Sequence, residues 1–461
     1  MSIEWIVDHL AVVMFFALIL GMFMGFPVAL TLGGIGVVFG FIGIGLDEFR
    51  LARFATIPSR IYGSAVISQV LMAIPMFIFM GVVLERSRIA EDLLKTLQIL
   101  LRRVPGGLAM SVALLGTIMA ATTGIVGASV IMLTLMALPT MLERNYSHEL
   151  ATGTIAASGT LGILIPPSIM LVILGDLVQV PIGTLFAAAV FPGLLLSILY
   201  LVYIWVFAHI RPSAAPPLPD DLGPETRGEL MLLVLKSIVP PAFLIFAVLG
   251  SIFLGLATPT EASGVGCAGA LLLAALNRSL NMTMLKGVIE SAGTTNALVF
   301  FIILGATVFS VVFRYLGGDA IVKEILLAAG LDTGWEILIF LMVLVFFLGF
   351  FFDFIEISLI VIPIFYPIIK ALNFGDHVTP PFAFMPWVTI LIAVNLQTSF
   401  LTPPFGFSLF YMKGVVPPEV KMVEIYRGII PFVILQLSTV GLVMAFPEIA
   451  LWLPRVTGFL E

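Results

Sequence analysis

Charged residues are scarce in this sequence. Asp, Glu, Lys and Arg make up only 10% of its 461 residues, whereas hydrophobic residues make up 61%. A typical soluble domain has roughly 25% charged residues, and a soluble fold of this length could not bury so much apolar surface, so lipid must be the solvent for most of the chain. The apolar runs reach about 20 residues, the length that spans a bilayer. They are continuous rather than alternating, which predicts α-helices and excludes a β-barrel.

Cysteine and clustered metal ligands are equally rare. Cys267 is the single cysteine, which excludes a disulfide framework or a redox pair, and the four histidines lie at segment ends or in polar connections without ligand spacing. The net charge of −6 is small, and without a basic stripe it predicts no nucleic-acid partner. Because the sequence also has no nucleotide-phosphate loop and no catalytic constellation, we expect neither an enzyme nor a bound cofactor.

Glycines, prolines and polar runs mark where the apolar stretches are interrupted. Residues 10–45 are predicted to form two helices joined by a break at Gly25-Phe-Pro27, and the acidic start of the chain favours a retained first helix over a cleaved signal peptide. Residues 85–103 mix leucines with basic residues in the pattern of a helix on the membrane surface. Residues 209–236, rich in Pro, Asp and Ser, are predicted to form a flexible linker.

Four landmarks recur in the same order in the two halves of the chain. Ala73–Gly81 resembles Ala297–Gly305, Leu135–Pro139 resembles Ile360–Pro363, Leu161–Pro167 resembles Thr398–Pro404, and Pro27 matches Pro259. The separation is 224 residues for the first two pairs, 237 for the third and 232 for the fourth. Two structural repeats are therefore predicted, and the landmarks leave a parallel and an inverted arrangement open. Such duplication is typical of secondary transporters, whose binding sites lie where corresponding helices of the two halves are broken.

Two segments with paired prolines, 158–168 and 395–406, differ from ordinary lipid-facing helices. Each proline pair removes two amide donors and so frees carbonyl groups upstream, which is costly in a bilayer unless protein, water or an ion satisfies them. A monovalent cation prefers such oxygen ligands, and the N-terminus of the following half-helix attracts an anion. A structural kink packed against its neighbours is the alternative for either segment alone. The matched pair favours a site for an ion and a substrate.

Two acids interrupt the apolar run between residues 337 and 369. Asp353 and Glu356 lie within it, and an acid within a membrane segment costs free energy and by default marks a functional site. The alternative is that one of them makes a structural hydrogen bond or pairs with a basic group, for which Arg314 is a candidate.

The segment Leu256–Gly266 predicts the start of a helix. Thr258 can serve as the N-cap, Pro259 as the first helical residue and Glu261 as the partner that closes a capping box. The small residues that follow would let neighbouring helices approach closely.

These motifs together resemble one known family. Ala257–Gly266, Gly162–Ser168 and Asn395–Gly406 are similar to segments of the large membrane (permease) subunit of tripartite ATP-independent periplasmic (TRAP) transporters, and the resemblance covers essentially the whole chain. It implies an elevator mechanism, in which a transport domain with two re-entrant helical hairpins slides against a scaffold, and it implies Na⁺ as the coupling ion. The implied partners are a small four-helix membrane subunit, a periplasmic substrate-binding protein and a small organic anion.

The predicted fold class is therefore an all-α polytopic membrane protein with two repeats, for which we expect the inverted arrangement. Residues 1–60 would form scaffold helices and an interfacial arm, and residues 61–182 the first repeat of the transport domain. Residues 183–290 would form scaffold helices with the linker 209–236, residues 291–415 the second repeat of the transport domain, and residues 416–461 a C-terminal scaffold helix.

The resemblance also implies two Na⁺ sites and a substrate site. The first Na⁺ site would combine the Thr122-Thr123 loop with Gly162, Ile165 and Pro167, and the second would combine Gly349 to Asp353 with Ser399, Thr402 and Pro404. The predicted substrate contacts are Ser168, Asn395, Gln397 and Thr398. Family members often have Ser or Asn in the first loop, so the threonines are a departure. The segment Phe352–Glu356 also departs from the Asp-Pro form of sialic acid and C4-dicarboxylate members and looks more like the branch associated with 2-oxo acids.

The function expected from the sequence is Na⁺-coupled import of a small organic anion, a carboxylate or 2-oxo acid, across the bacterial inner membrane. A self-sufficient Na⁺/carboxylate symporter of the ion-transporter superfamily, which needs no binding protein, is the alternative. A channel would need a continuous polar pore face, and an intramembrane enzyme would need catalytic groups that the sequence lacks. The basic segments 86–103 and 209–236 predict a cytoplasmic location for both by the positive-inside rule.

Overall fold

The structure, a computed structural model, describes residues 9–123, 126–219, 223–224, 226–404 and 406–460. Across these residues it has twenty α-helices and no β-strand, which confirms the all-α class. Helices α1 to α10 are Leu10–Phe23, Val28–Gly45, Thr56–Ile61, Ala73–Arg86, Ile89–Leu100, Gly107–Thr123, Val126–Glu143, His148–Thr160, Ile169–Val178 and Ile182–Ile210. Helices α11 to α20 are Arg227–Phe253, Pro259–Leu276, Met282–Tyr315, Gly318–Ala328, Gly334–Leu348, Phe354–Ile369, Phe384–Leu396, Phe407–Lys413, Met422–Ala445 and Glu448–Val456.

Several of these helices suit a membrane. By length and composition, seven described helices (α2, α7, α10, α11, α12, α13 and α19) are apolar and long enough to cross a bilayer. Length alone does not show whether a helix crosses the bilayer or forms one arm of a hairpin. Contacts between helix ends show at which end of the molecule each helix starts and stops.

Glycine and proline end the helices where the sequence predicts. The break between α1 and α2 contains Gly25, whose φ of +80° is accessible to glycine without strain, and α2 follows Pro27 directly. Helix α12 begins at Pro259. The Thr258 hydroxyl accepts from the Glu261 amide at 3.3 Å, and the Glu261 carboxylate accepts from the Thr258 amide at 2.8 Å, so the predicted capping box is confirmed.

The first hairpin consists of α6 and α7, and both of its outer ends lie together. The Leu108 amide at the start of α6 donates to the hydroxyl of Tyr146, three residues beyond α7, at 3.3 Å. The Gly106 and Ser147 amides both donate to the segment after α10, at the carbonyls of Ala215 and Ala214. We call this end of the molecule, which contains residues 106, 147 and 214–218, the linker end.

The second hairpin, α15 and α16, opens at the opposite end. A Cβ added to Gly334 at the start of α15 would lie 2.6 Å from the carbonyl oxygen of Asn373, just after α16. The Trp335 ring packs on His377, whose imidazole lies 2.8 Å from the Met444 carbonyl at the end of α19. Helix α19 starts at the linker end, where Glu424 lies 3.1 Å from His148. We call the end that contains Trp335, His377 and Met444 the distal end.

Each hairpin is followed by a helix that is broken at a proline pair and runs from one end to the other. The first, α8 and α9, leaves the linker end at His148 and finishes at Val178, just before α10 starts at the distal end. The second, α17 and α18, leaves the distal end, where the Trp387 indole donates to the Val443 carbonyl at 2.8 Å, and leads to α19 at the linker end. The two hairpin-plus-broken-helix units thus run in opposite directions.

Helices of the two halves pack in reciprocal pairs. Helix α9 packs against α16, and α18 packs against α7, so the second half of each broken helix contacts the second hairpin arm of the other half. In the same manner α2 packs against α13, and α12 packs against α4. Reciprocal contacts of this kind are what a two-fold relation between the halves produces.

Three predicted boundaries differ from the structure. The linker ends at α11, which starts at Arg227 rather than after residue 236, because the Thr226 hydroxyl caps the helix by accepting from the Glu229 amide at 3.3 Å. The boundary placed between residues 290 and 291 falls inside α13, a continuous helix of 34 residues. The C-terminal segment forms two helices rather than one, because Pro447 ends the hydrogen-bonding pattern of α19.

Candidate cation and substrate site

The break between α8 and α9 leaves main-chain carbonyls without their helical hydrogen-bond donors. Pro166 and Pro167 lack the N–H groups that would bond to the carbonyls of Gly162 and Ile163 in a continuous helix. The Ser168 hydroxyl donates to the Ile163 carbonyl and so replaces one of the two donors. The Gly162 carbonyl is the other one that loses its helical donor, which makes it a candidate oxygen ligand for a cation.

The break between α17 and α18 repeats this arrangement 237 residues later. Pro403 and Pro404 remove the donors for the carbonyls of Ser399 and Phe400. Ser399 corresponds to Gly162 at the 237-residue offset, and its carbonyl likewise loses its helical donor. The Thr402 hydroxyl instead donates to the Thr398 carbonyl at 3.0 Å.

Each break lies beside the tip of the hairpin from its own half. A Cβ added to Gly349, at the end of the first arm of the second hairpin, would lie 2.7 Å from the Ser399 Cβ, so the hairpin backbone touches the second break. Helix α6 packs against the turn Leu161–Ile163 of the first break. The side chains of Thr122 and Thr123 lie outside the described part of the chain, so their predicted role remains a prediction.

The two membrane acids form the start of the second hairpin arm. One Asp353 carboxylate oxygen accepts from the Phe354 amide at 2.7 Å, and Glu356 accepts from the Asp353 amide at 3.2 Å. Together they make a capping box at the N-terminus of α16, where the helix dipole also favours negative charge. The structural hydrogen bonds considered as the alternative from the sequence are therefore present, whereas Arg314 pairs with Asp319 at 3.5 Å and not with either of these acids.

The four predicted substrate contacts are almost fully buried and are engaged with the main chain. The Asn395 amide donates to the Met342 carbonyl at 2.7 Å, and the Thr398 hydroxyl donates to the Asn395 carbonyl at 2.7 Å. Ser168 caps α9 as well as bonding Ile163. Each of the four side chains thus bonds within the protein, and their role as substrate contacts remains a prediction.

Gln397 joins the two breaks to each other. Its side-chain amide donates to the carbonyl of Thr160, the last residue of α8, at 2.9 Å, and the two residues are 237 positions apart. Its amide oxygen has no hydrogen-bond partner among the described residues, although the side chain is 0% exposed. This contact joins equivalent positions of the two segments, because 237 residues is also the offset between the two proline pairs.

The comparison with known proteins gives the family. Residues 12–449 match the model of the tripartite ATP-independent periplasmic transporter, DctM component. The chain belongs to this family. The ectoine/5-hydroxyectoine TRAP transporter large permease protein UehC of Ruegeria pomeroyi is 28% identical over 450 residues, which cover 96% of this chain and 98% of that protein. The C4-dicarboxylate TRAP transporter large permease protein DctM of Vibrio cholerae is 27% identical over 471 residues, which cover 97% and 98%.

A solved structure supports the fold independently of the sequence. The crystal structure of the Alcanivorax borkumensis YdaH transporter has a TM-score of 0.59 to this DctM-family chain at 17% identity, covering 85% of this chain and 87% of that one. Membership of the DctM family, and not this structural likeness, makes the chain a component of a membrane transporter, as predicted from its motifs. The relatives are named for different solutes, so family membership does not give the solute of this chain.

The remaining predicted ligands differ in accessibility. Pro167 is buried, and Ile165 packs against α10, where a Cβ added to Gly193 would lie 2.9 Å from its side chain. Pro404 is exposed at the second break. The sequence reasoning missed Tyr411 of α18, whose ring would be 2.7 Å from a Cβ added to Gly127, next to the first hairpin tip.

Proposed function

We propose that this DctM-family chain is the large permease subunit through which a small organic anion enters a bacterium, driven by a Na⁺ gradient across the inner membrane. One observation carries the proposal. The carbonyls of Gly162 and Ser399 are both freed by a proline pair, and both lie in a helix break that packs against a hairpin from its own half. The two oxygen sites are equivalent, and their hairpins open at opposite ends of the molecule. This duplication favours binding of a coupling ion over a purely structural kink.

The electrostatics of the second break favour a cation. Asp353 and Glu356 add two carboxylates at the tip of the hairpin that touches Ser399. Burying such charges is unfavourable unless an opposite charge compensates them, which a bound Na⁺ would do. The N-termini of α9 and α18 follow the two breaks and offer their partial positive charge to the anionic solute.

The basic residues give the orientation that we propose. The predicted cytoplasmic segments meet in the structure, where the Leu218 amide donates to the Arg102 carbonyl at 2.8 Å at the linker end. By the positive-inside rule the linker end faces the cytoplasm, and the distal end faces the periplasm. A periplasmic substrate-binding protein would deliver the solute at the distal end, and a small four-helix membrane subunit would complete the permease.

The packing suggests which elements move together. Helices α2, α4, α12 and α13 form the reciprocal pairs of the scaffold, and the hairpins with their broken helices form the transport unit. We infer an elevator movement of the second group against the first. Helix α4, placed in the transport domain from the sequence, is assigned to the scaffold in this proposal, since it packs on α12 and α13.

Uptake into proteoliposomes tests the function. The chain would be reconstituted with and without its small subunit and a binding protein, and labelled organic acids would be supplied with an inward Na⁺ or choline gradient. We expect uptake only with Na⁺ and with both partners. Uptake that needs no binding protein would instead identify a self-sufficient symporter, and equal uptake in choline would refute Na⁺ coupling.

A further inference from the structure

A cavity with both polar and apolar lining residues lies at the distal end, away from the two helix breaks. It has a volume of about 480 Å³ and is bounded by α9, α13 and α16. None of the predicted cation or substrate residues lines it. Its volume is in the range of small-molecule sites, which is roughly 300–1,000 Å³. It lies between scaffold helix α13 and two elements of the proposed transport unit.

One face of α13 supplies polar groups to this cavity. Thr307, Ser310 and Arg314 recur at helical spacing and all line it. The opposite wall comes from α16, where Pro363 and Pro367 are four residues apart. Because Pro367 has no N–H, the Pro363 carbonyl lacks its helical donor, and an Arg314 nitrogen lies 3.5 Å from it.

Arg314 has more N–H donors than its contacts with Asp319 and Pro363 use. A guanidinium group carries five N–H donors. In the described part of the chain, one Arg314 nitrogen faces Asp319 at 3.5 Å and another faces the Pro363 carbonyl at 3.5 Å, both at the long limit of such contacts. About half of the side chain is exposed. The group can therefore bind a planar oxyanion through its remaining donors.

The charges that line the cavity favour an anion. Arg60 of α3 is a second guanidinium on the lining, and the only acid there among the described residues is Asp176 of α9. The Ser68 hydroxyl donates to Asp176 at 3.2 Å, which partly satisfies that carboxylate. Within the lining, two guanidinium groups thus face one carboxylate, and Asp319, which pairs with Arg314, lies outside it.

We propose that this cavity is an oxyanion-binding site for a small carboxylate or sulfonate solute, held by Arg314 together with Arg60. This proposal rests on the proposed function, because the bound solute would be the one that the chain imports. Its position at the distal end, between the scaffold and the transport unit, makes it a first binding site that a solute reaches before the helix breaks.

Thiol labelling at the cavity tests the proposal without transport. Ser310→Cys would be introduced into a Cys267→Ala background, since Cys267 is the single cysteine. The purified full chain in phosphatidylcholine nanodiscs, in K⁺ salts without Na⁺, would be treated with an anionic and a cationic methanethiosulfonate reagent. Their rate ratio cancels the effect of the thiol's own pKa and reports local charge. Excess positive charge within several ångströms should favour the anionic reagent about threefold or more.

Substitutions and oxyanions then locate the charge. Arg314→Gln should remove the preference for the anionic reagent, and Arg314→Lys should retain much of that preference. Lys323→Gln, at a cation outside the cavity, should leave it unchanged. Succinate, isethionate and phosphate should each be tested against chloride at matched ionic strength, and at least one should slow labelling in the parent but not in Arg314→Gln.

Three results would overturn the proposal: no anionic preference, no protection by any of the three oxyanions, or loss of all protection when phosphatidylglycerol replaces phosphatidylcholine. The last result would assign the cavity to a lipid headgroup. Because no Na⁺ is present, failure of Na⁺-driven uptake would leave these results unaffected, so the two proposals can fail separately.

Discussion

The contact between Gly349 and Ser399 makes Gly349→Ala a direct test of the second cation site. The added Cβ would lie 2.7 Å from the Ser399 Cβ and 3.0 Å from its Cα. Non-bonded carbon atoms pack at about 3.5–4.0 Å. The hairpin tip must therefore move away from the break by roughly 1 Å, and the oxygen atoms that we assign to the cation must separate.

The expected loss of Na⁺ affinity follows from this displacement. Functional sites need their groups within about 0.5 Å of the productive geometry, so we expect at least a tenfold weaker Kd. If the parent Kd is about 1 mM, 100 mM Na⁺ stabilises the fold by about 2.7 kcal/mol, and a tenfold weaker Kd leaves about 1.4 kcal/mol.

Thermal unfolding of the purified chain in NaCl and in choline chloride measures this difference. Overpacking lowers the unfolding temperature in both salts, so only the shift between the two salts reports the cation site. Gly264→Ala and Gly441→Ala are matched controls, since a Cβ at either position meets nothing within 4 Å. A folded Gly349→Ala protein with the full parental Na⁺ shift would refute the second cation site as described here.

Three further substitutions test other parts of the structure. Asp353→Asn keeps an N-cap but removes a charge, so the Na⁺ concentration for half-maximal uptake should rise several-fold, and an unchanged value would remove Asp353 from the site. Gln397→Ala should lower the Hill coefficient for Na⁺ in the uptake assay towards 1, because it removes the bond between the breaks; a parental coefficient would argue against that coupling. Trp387→Phe leaves the Val443 carbonyl without its indole donor and should cost about 1–3 kcal/mol in thermal unfolding; an unchanged unfolding temperature would show that water replaces the donor.

The breaks in the helices could be predicted because their causes are local. Proline removes a donor wherever it occurs, and Pro27, Pro259 and the two proline pairs of the breaks stand where helices start or are interrupted, whereas Pro240 and Pro241 lie inside the continuous helix α11. The capping box at Thr258 depends on side chains three residues apart and is equally visible in the sequence. These features gave the helix–break–helix form of both candidate sites.

The relations between distant segments could not be predicted in the same way. The boundary after residue 290 was wrong because no proline interrupts α13, which continues through the small and polar residues 291–296. Arg314 was only a candidate partner for Asp353 or Glu356, and in the structure Asp319, five residues away, pairs with it at 3.5 Å. The polar groups of the distal cavity come from four separate elements, so no local pattern marks them.

The bond from Gln397 to Thr160 constrains how the two candidate cation sites act. These positions are separated by 237 residues, the offset that also relates the two proline pairs. When a two-fold axis relates two equivalent positions, they can touch only if both lie close to that axis. With the two-fold relation that we infer from the reciprocal packing, the two breaks meet close to the axis, each packed against its own hairpin and joined by a buried hydrogen bond. A cation that orders one break restrains the main chain of the other, so we expect the two Na⁺ sites to fill cooperatively rather than independently.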